Sequence, residues 1–110
     1  IMRRTDILSG EARFLWFHAT RNNHGSLFSD LEDLYSDCAW VRTKDQILDE
    51  GWFGRQISDQ VKERLGEVAL LAKEPIAFLD GKKLGPKLVG RHGSLTDAEV
   101  YVPLITTFKE

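Results

Sequence analysis

The residues of this chain that could do chemistry are concentrated in one stretch near its C-terminal end. His92 stands between two glycines, Gly90 and Gly93. Because glycine permits tight turns and close backbone approach, this spacing predicts a loop that presents the imidazole to a ligand or an ion. Thr96 and Glu99 then form the Thr-x-x-Glu pattern of a capping box, which predicts a helical turn that begins directly after the loop and fixes its end.

Metal binding is one interpretation of this loop, because neutral imidazole is a preferred zinc ligand. From spacing alone, the ordinary alternative is a loop histidine that binds a carbonyl group or faces water. Zinc needs three or four donors, and no other motif supplies them. Cys38 is the single cysteine, so the chain has no Cys-x-x-Cys site. We interpret Cys38 as a core residue. We interpret His18 as a half-buried strand residue and His24 as a turn residue.

Several other residues have both a functional and a structural interpretation. Arg91 could reach a phosphate or a carboxylate, or form an ordinary surface ion pair. Trp52 and Phe53 could stack on a base, or pack on the core. Glu99 could support His92, although its capping position already explains it. A basic cluster beside a glycine-rich loop could bind an anion, but a solvated loop is the default; its members are Lys82, Lys83 and Lys87.

Composition predicts one globular domain. The chain has 110 residues, of which 42% are hydrophobic and 29% are charged. Lys and Arg number 15 against 17 Asp and Glu, with both signs interspersed, which argues against a surface for duplex nucleic acid. There is no apolar run of the ~20 residues that span a bilayer, and no apolar signal segment at the start. We therefore expect a soluble, cytoplasmic chain with no membrane partner.

The elements that must position the loop are short and mixed. A strand is predicted at Arg13–Ala19, followed by a turn at Arg21–Gly25 and an amphipathic helix from Ser26 whose apolar face carries Leu27, Phe28, Leu31, Leu34 and Tyr35. A strand at Cys38–Arg42 then precedes a capped helix from Thr43 to Gly51 and a helix at Gln60–Leu65. The last predicted elements are a hairpin of Glu67–Ala72 with Pro75–Leu79 and a loop at Asp80–Lys87. This alternation predicts an α+β, or mixed α/β, class.

The stretch LVGRHGSLTDAEVYVPLI, residues 88–105, resembles the closing motif of type I phosphodiesterases and nucleotide pyrophosphatases of the alkaline phosphatase superfamily. In that motif a His-Gly pair precedes a Leu-Thr/Ser-x-x-Glu run and a Val-Pro-Leu strand. Residues 51–54 and 64–68, with the hairpin, are also similar to the C-terminal part of bacterial members. The resemblance implies that residues 1–110 are one domain, a fragment of an alkaline-phosphatase-like α/β fold. Residues 10–56 would be a cap-like portion and 57–110 a core-closing portion.

The resemblance also implies a function. His92 would be a ligand to one of two zinc ions, whose other ligands and whose Thr or Ser nucleophile lie in an N-terminal catalytic portion of the same polypeptide. The substrate would be a phosphate ester or a nucleotide, and this chain alone would be inactive. Ser94 stands where many relatives have a second glycine, which costs the loop some freedom at positive φ.

The alternative is a free-standing, non-catalytic α+β interaction module. If the chain is instead a segment removed from a larger sheet, apolar edges at Val68–Leu71 and Val102–Ile105 are expected to be exposed and to favour self-association in isolation.

Overall fold

The computed structural model describes residues 1–20, 22–78 and 90–109, and within them the predicted mixed α+β class is confirmed. The predicted Asp80–Lys87 loop, with its lysine cluster, lies outside the described residues. The elements are a 3-10 turn at Met2–Arg4, strands β1 (Thr5–Glu11), β2 (Phe14–Ala19), β3 (Ala39–Thr43) and β4 (Val68–Ala72), and helices α1 (His24–Tyr35), α2 (Lys44–Asp49), α3 (Asp59–Arg64) and α4 (Asp97–Val100).

The four strands form one antiparallel sheet in the order β1-β2-β4-β3. The predicted hairpin and the predicted exposed edge at Val68–Leu71 are both wrong. β4 lies in the centre of the sheet with all five residues buried, because its apolar side chains are covered on both faces. Residues 75–78 form no strand, and Phe78 N–H instead donates to the carbonyl of Ala12 in the β1–β2 turn, at 2.6 Å.

Strand β1 was not predicted by the sequence pattern, because it is polar apart from Ile7 and Leu8 and contains a glycine. It forms through a tight turn to β2. Gly10 has φ +99°, and a Cβ there would lie 2.3 Å from the carbonyl oxygen of Phe14, so only glycine fits. Pairing with β2, which is strongly apolar, therefore overrides a weak local preference.

Helices cover both faces of the sheet. On one face α1 buries Leu27 and Leu31 against Phe17, Val41 and Leu70. On the other face the side chain of Ile47 in α2 packs on Trp16, Ala69 and Leu71.

Two predictions about α1 are corrected. The buried stripe of the helix consists of residues four apart, so Leu34 points away and is 62% exposed. His24, predicted as a turn residue, is the first residue of the helix and is exposed. Within the described ranges no helix combines the length and the apolar character needed to cross a bilayer.

The predicted start of α2 is confirmed, and α3 begins at Asp59, one residue before the predicted Gln60. Thr43 and Gln46 form a capping box at the start of α2, and Gly51, with φ +74°, follows its end. The Ser58 hydroxyl accepts from Val61 N–H at the start of α3. These signals succeed because the capping partners are only three residues apart.

Candidate functional site

His92 lies on an irregular loop that runs from residue 90 to the start of α4, and it is exposed. Gly93 takes the left-handed conformation at φ +106°. A Cβ placed on Gly93 would lie 3.6 Å from Cβ of Glu11, so this turn rests against the end of β1. The loop therefore presents the imidazole to solvent beside the β1–β2 turn.

Ser94 attaches the loop to the sheet. Its side chain is buried and its hydroxyl donates to the carbonyl of Ala72, the last residue of β4. Its backbone N–H donates to Oε1 of Glu99 at 3.3 Å. Among the described non-glycine residues only Asn22 has a positive φ, so the expected cost of replacing a glycine by Ser94 is not found. Instead the hydroxyl adds a contact that glycine could not make.

An ion pair between the buried Arg13 and the half-buried Glu99 holds the far end of the loop. Nε of Arg13 donates to Oε1 of Glu99 at 2.5 Å, and a second guanidinium nitrogen donates to Oε2 at 3.0 Å. Such two-pronged contact between Arg and a carboxylate fixes orientation as well as distance. The same guanidinium donates to the carbonyls of Ala72, Glu74 and Ile76, at 3.4, 2.8 and 2.6 Å. One side chain thus joins the β1–β2 turn, the segment after β4 and α4.

Sequence reasoning placed Arg13 at the start of an apolar strand and gave it no role. The signal was present, because an arginine next to an apolar run is rarely buried without a carboxylate partner. The partner could not be identified from spacing, since Glu99 is 86 residues away in the chain.

The predicted capping box at Thr96 and Glu99 is confirmed. Oε2 of Glu99 accepts from the Thr96 hydroxyl at 2.6 Å and from the Thr96 N–H at 3.4 Å. The carboxylate therefore closes the first turn of α4 and pairs with Arg13 at the same time. Hydrogen bonds from Arg13 lower the pKa of Glu99 to about 2, with smaller contributions from Thr96 and Ser94 against the opposing effect of burial.

The donor set for a metal ion is incomplete in the part of the chain that the structure describes. Nowhere in residues 1–20, 22–78 and 90–109 do three His, Cys, Asp or Glu side chains come together as a metal site. Nε2 of His18 is 2.8 Å from the Ser9 hydroxyl, which satisfies a half-buried strand residue as predicted. Cys38 is half-buried, with Sγ 3.6 Å from the carbonyl of Tyr35. His92 is thus a single exposed nitrogen ligand. It fits one coordination position of a metal site and does not form a complete site.

The remaining candidates take structural positions. Trp52 packs against the core cluster of Trp16 and Ile47, and its indole N–H donates to the Glu50 carboxylate at 2.7 Å. The exposed Phe53 ring stacks on Trp16, with ring centroids 6.5 Å apart. Arg91 is half-buried, and the ion pairs between described residues do not include it.

Comparison of the chain with protein-family models, with curated proteins and with solved structures gave no match. The fold and the loop together define an α+β domain with a four-stranded antiparallel sheet that presents one imidazole on an anchored loop. What that imidazole does is inferred from the loop geometry and from the motif around it.

Proposed function

We propose that this chain is the C-terminal portion of a metal-dependent phosphodiesterase or nucleotide pyrophosphatase, a phosphoric ester hydrolase, and that His92 is one of its zinc ligands. The observation that carries the proposal is the position of His92. Its side chain is exposed, while the loop that bears it is attached to the sheet by Ser94 and by the pair of Arg13 and Glu99. Another part of the polypeptide can therefore approach the imidazole and complete a site.

The anchored loop suits a metal ligand better than a flexible one would. A ligand must be held within about 0.5 Å of its working position, which requires neighbours that lock the backbone. Ser94 supplies such a lock two residues after His92, and Glu99 supplies another at the start of α4. The imidazole itself binds as the neutral form, donating a ring nitrogen lone pair.

A pair of zinc ions, when bound, stabilises charge on the attacking and leaving oxygens of a phosphoryl displacement. This chain contributes one donor to such a pair and orients it. A single imidazole binds zinc weakly, so the 110-residue chain by itself is expected to hydrolyse neither phosphomonoesters nor phosphodiesters. Turnover by the chain alone, with zinc added, would contradict the assignment of His92 as a donor to an incomplete site.

The direct test uses the whole hydrolase that the proposal requires. We expect His92→Ala to reduce bound zinc and to abolish hydrolysis of a generic phosphodiester, while circular dichroism stays unchanged. His24→Ala is the matched control, since His24 is also exposed but lies at the start of α1. It should retain both zinc and activity. Normal zinc content and turnover in His92→Ala would refute the proposal.

A free-standing interaction module remains the second candidate, because residues 101–108 expose large apolar side chains that a partner could cover. The reading frame upstream of Ile1 distinguishes the two. A nucleophilic Thr or Ser and several aspartates after predicted strands would support the hydrolase. An upstream sequence without them would support the module.

A further inference from the structure

The segment that follows α4 exposes its apolar side chains almost completely. We call residues 101–108 the C-terminal tail; no regular secondary structure is present in it. Its large apolar side chains are 76–92% exposed, and these are Tyr101, Val102, Leu104, Ile105 and Phe108. Single exposed apolar residues are ordinary, but five within eight consecutive positions indicate a surface that is covered by a partner.

The sequence of the tail is that of a strand at the edge of a sheet. Its residues are mainly β-branched or aromatic, which favours extended backbone. Pro103 has no N–H, so it is tolerated where that side of the strand needs no partner. In an extended segment the backbone N–H and C=O groups of alternate residues point toward the same neighbouring strand. Those of residues 102, 104, 106 and 108 therefore point to one side, and those of Pro103 point to the other.

The sheet of the same chain offers a matching edge. β1 is the outer strand on one side, and within the described residues nothing pairs with its outer edge. It has seven residues, close to the eight of the tail, and contains neither lysine nor proline; after an irregularity between Thr5 and Ile7, it pairs regularly with β2 from Ile7 to Glu11. Ile7 on β1 is 59% exposed, which places an apolar side chain at this edge.

We infer that two copies of this chain associate by exchanging tails, with the C-terminal tail of each copy added as an edge strand to β1 of the other. The tail leaves α4, which Arg13 fixes beside the β1–β2 turn, so each tail starts next to a β1 edge. Residues 102, 104, 106 and 108 form the hydrogen bonds, and Pro103 faces outward. The contact is reciprocal, as two-fold symmetry requires.

The area available is sufficient for a stable dimer. The two aromatic side chains of the tail carry about 300–500 Å² between them. With its three aliphatic side chains the tail approaches the ~800 Å² that one partner contributes to an interface of standard size. Because each copy gives a tail and receives one, the two-fold arrangement covers both tails at once. This inference concerns the 110-residue chain alone and does not depend on the proposed function.

Sedimentation velocity over a range of protein concentrations tests the inference. We expect a species of twice 12.5 kDa for the natural chain, and a monomer after deletion of residues 101–110. Ile7→Lys should also give a monomer, because it places a charge at the receiving edge. Leu34→Lys is the matched control: Leu34 is exposed to a similar degree, 62%, but lies on α1. It should leave the dimer intact.

Each other outcome overturns the inference. A natural chain that stays monomeric at every concentration shows that the tail does not bind a second copy. A dimer that survives the deletion uses another surface. Loss of the dimer in Leu34→Lys, or its survival in Ile7→Lys, places the interface away from β1, and an open-ended series of larger species excludes the reciprocal two-fold contact.

Discussion

Replacing Glu99 by glutamine tests whether its ion pair with Arg13 fixes the loop that carries His92. The substitution keeps the size of the side chain and one acceptor oxygen, but it removes the charge that faces Arg13. In the native chain the two side chains are only 9% and 13% exposed. Water can therefore replace only a small part of the lost interaction.

The size of the effect follows from two lines of reasoning. Removing one partner from a buried ion pair costs ~3–5 kcal/mol. Arg13 keeps its contacts with three backbone carbonyls and glutamine keeps one acceptor oxygen, so we expect a loss at or just below the lower end of that range. A pKa for Glu99 of about 2, against an ordinary value of 4.5, corresponds to at most about 3 kcal/mol. We therefore expect Glu99→Gln to weaken the anchoring of the loop by about 2–3 kcal/mol.

Most of this loss should appear as local release of the loop and α4. No residue of α4 is buried and Leu95 is exposed, so few apolar contacts hold the segment. Hydrogen exchange followed by mass spectrometry measures this directly. The amides of Glu99, Val100 and Tyr101, which donate to carbonyls in the first turn, should exchange ~30–150 times faster. The amides of β4 should change little.

Glu74→Gln is the matched control, because Glu74 contacts Arg13 through its backbone carbonyl and its side chain is exposed. It should leave all exchange rates near those of the natural chain. If Glu99→Gln exchanges at the natural rate in α4, the ion pair does not anchor the loop. If Glu74→Gln is as severe as Glu99→Gln, the effect reflects charge in general and not this pair.

Three further predictions concern the same anchor. Because the folded-state pKa of Glu99 is below its ordinary value, the stabilisation by this carboxylate is present above about pH 4.5 and is lost as the pH falls toward 2. The hydrogen-exchange rates of the α4 amides in the natural chain, relative to those of an unfolded chain, should therefore increase over that window. An equal increase in Glu99→Gln would argue against this carboxylate as the cause. Ser94→Ala leaves the buried carbonyl of Ala72 without that donor and should lower the free energy of unfolding in urea by about 1–2 kcal/mol, whereas no change would mean that the hydroxyl contact contributes nothing. In Gly93→Ala the new Cβ meets only an ordinary contact at 3.6 Å, so the free energy of unfolding should fall by the ~1–2 kcal/mol that a left-handed non-glycine residue costs. No change in the same urea experiment would show that the loop can change its φ freely.

The starts of α2 and α4 were predictable because capping is local. Thr43 with Gln46, and Thr96 with Glu99, are recognised from residue types at a spacing of three, and the structure has both capping boxes. The strand at Phe14–Ala19 was predicted for a similar reason, since one short apolar run carries the whole signal.

The position of β4 could not be predicted, because a strand that is apolar on both faces does not specify its neighbours. Val68–Ala72 lies between β2 and β3, to which it is joined by pairing across long stretches of chain. The proline-containing run that follows is nearer in sequence, so the pattern favours it as the partner. Pairing with β2 and β3 covers both edges of β4, whereas a local hairpin would have left one edge to solvent.

The candidate site was predictable in part. The loop, the exposure of His92 and the start of α4 follow from glycine and capping signals that lie within ten residues of one another. The anchor does not, because Arg13 and Glu99 are joined only by the tertiary fold. Sequence reasoning therefore found the presented residue and the cap of Thr96 and Glu99, and it missed Arg13, which joins that cap to the sheet.

The polar character of this anchor follows from what the loop has available. Residues 90–100 bury one side chain, that of Ser94, and α4 buries none, so apolar packing cannot fix the segment. Attachment must come from directed contacts, and Arg13 provides them from the β1–β2 turn. Since that turn is part of the sheet, the sheet fixes the loop that carries His92. A histidine on a loop that is attached to the sheet in this way has a fixed base, which is the property that the proposed metal ligand requires.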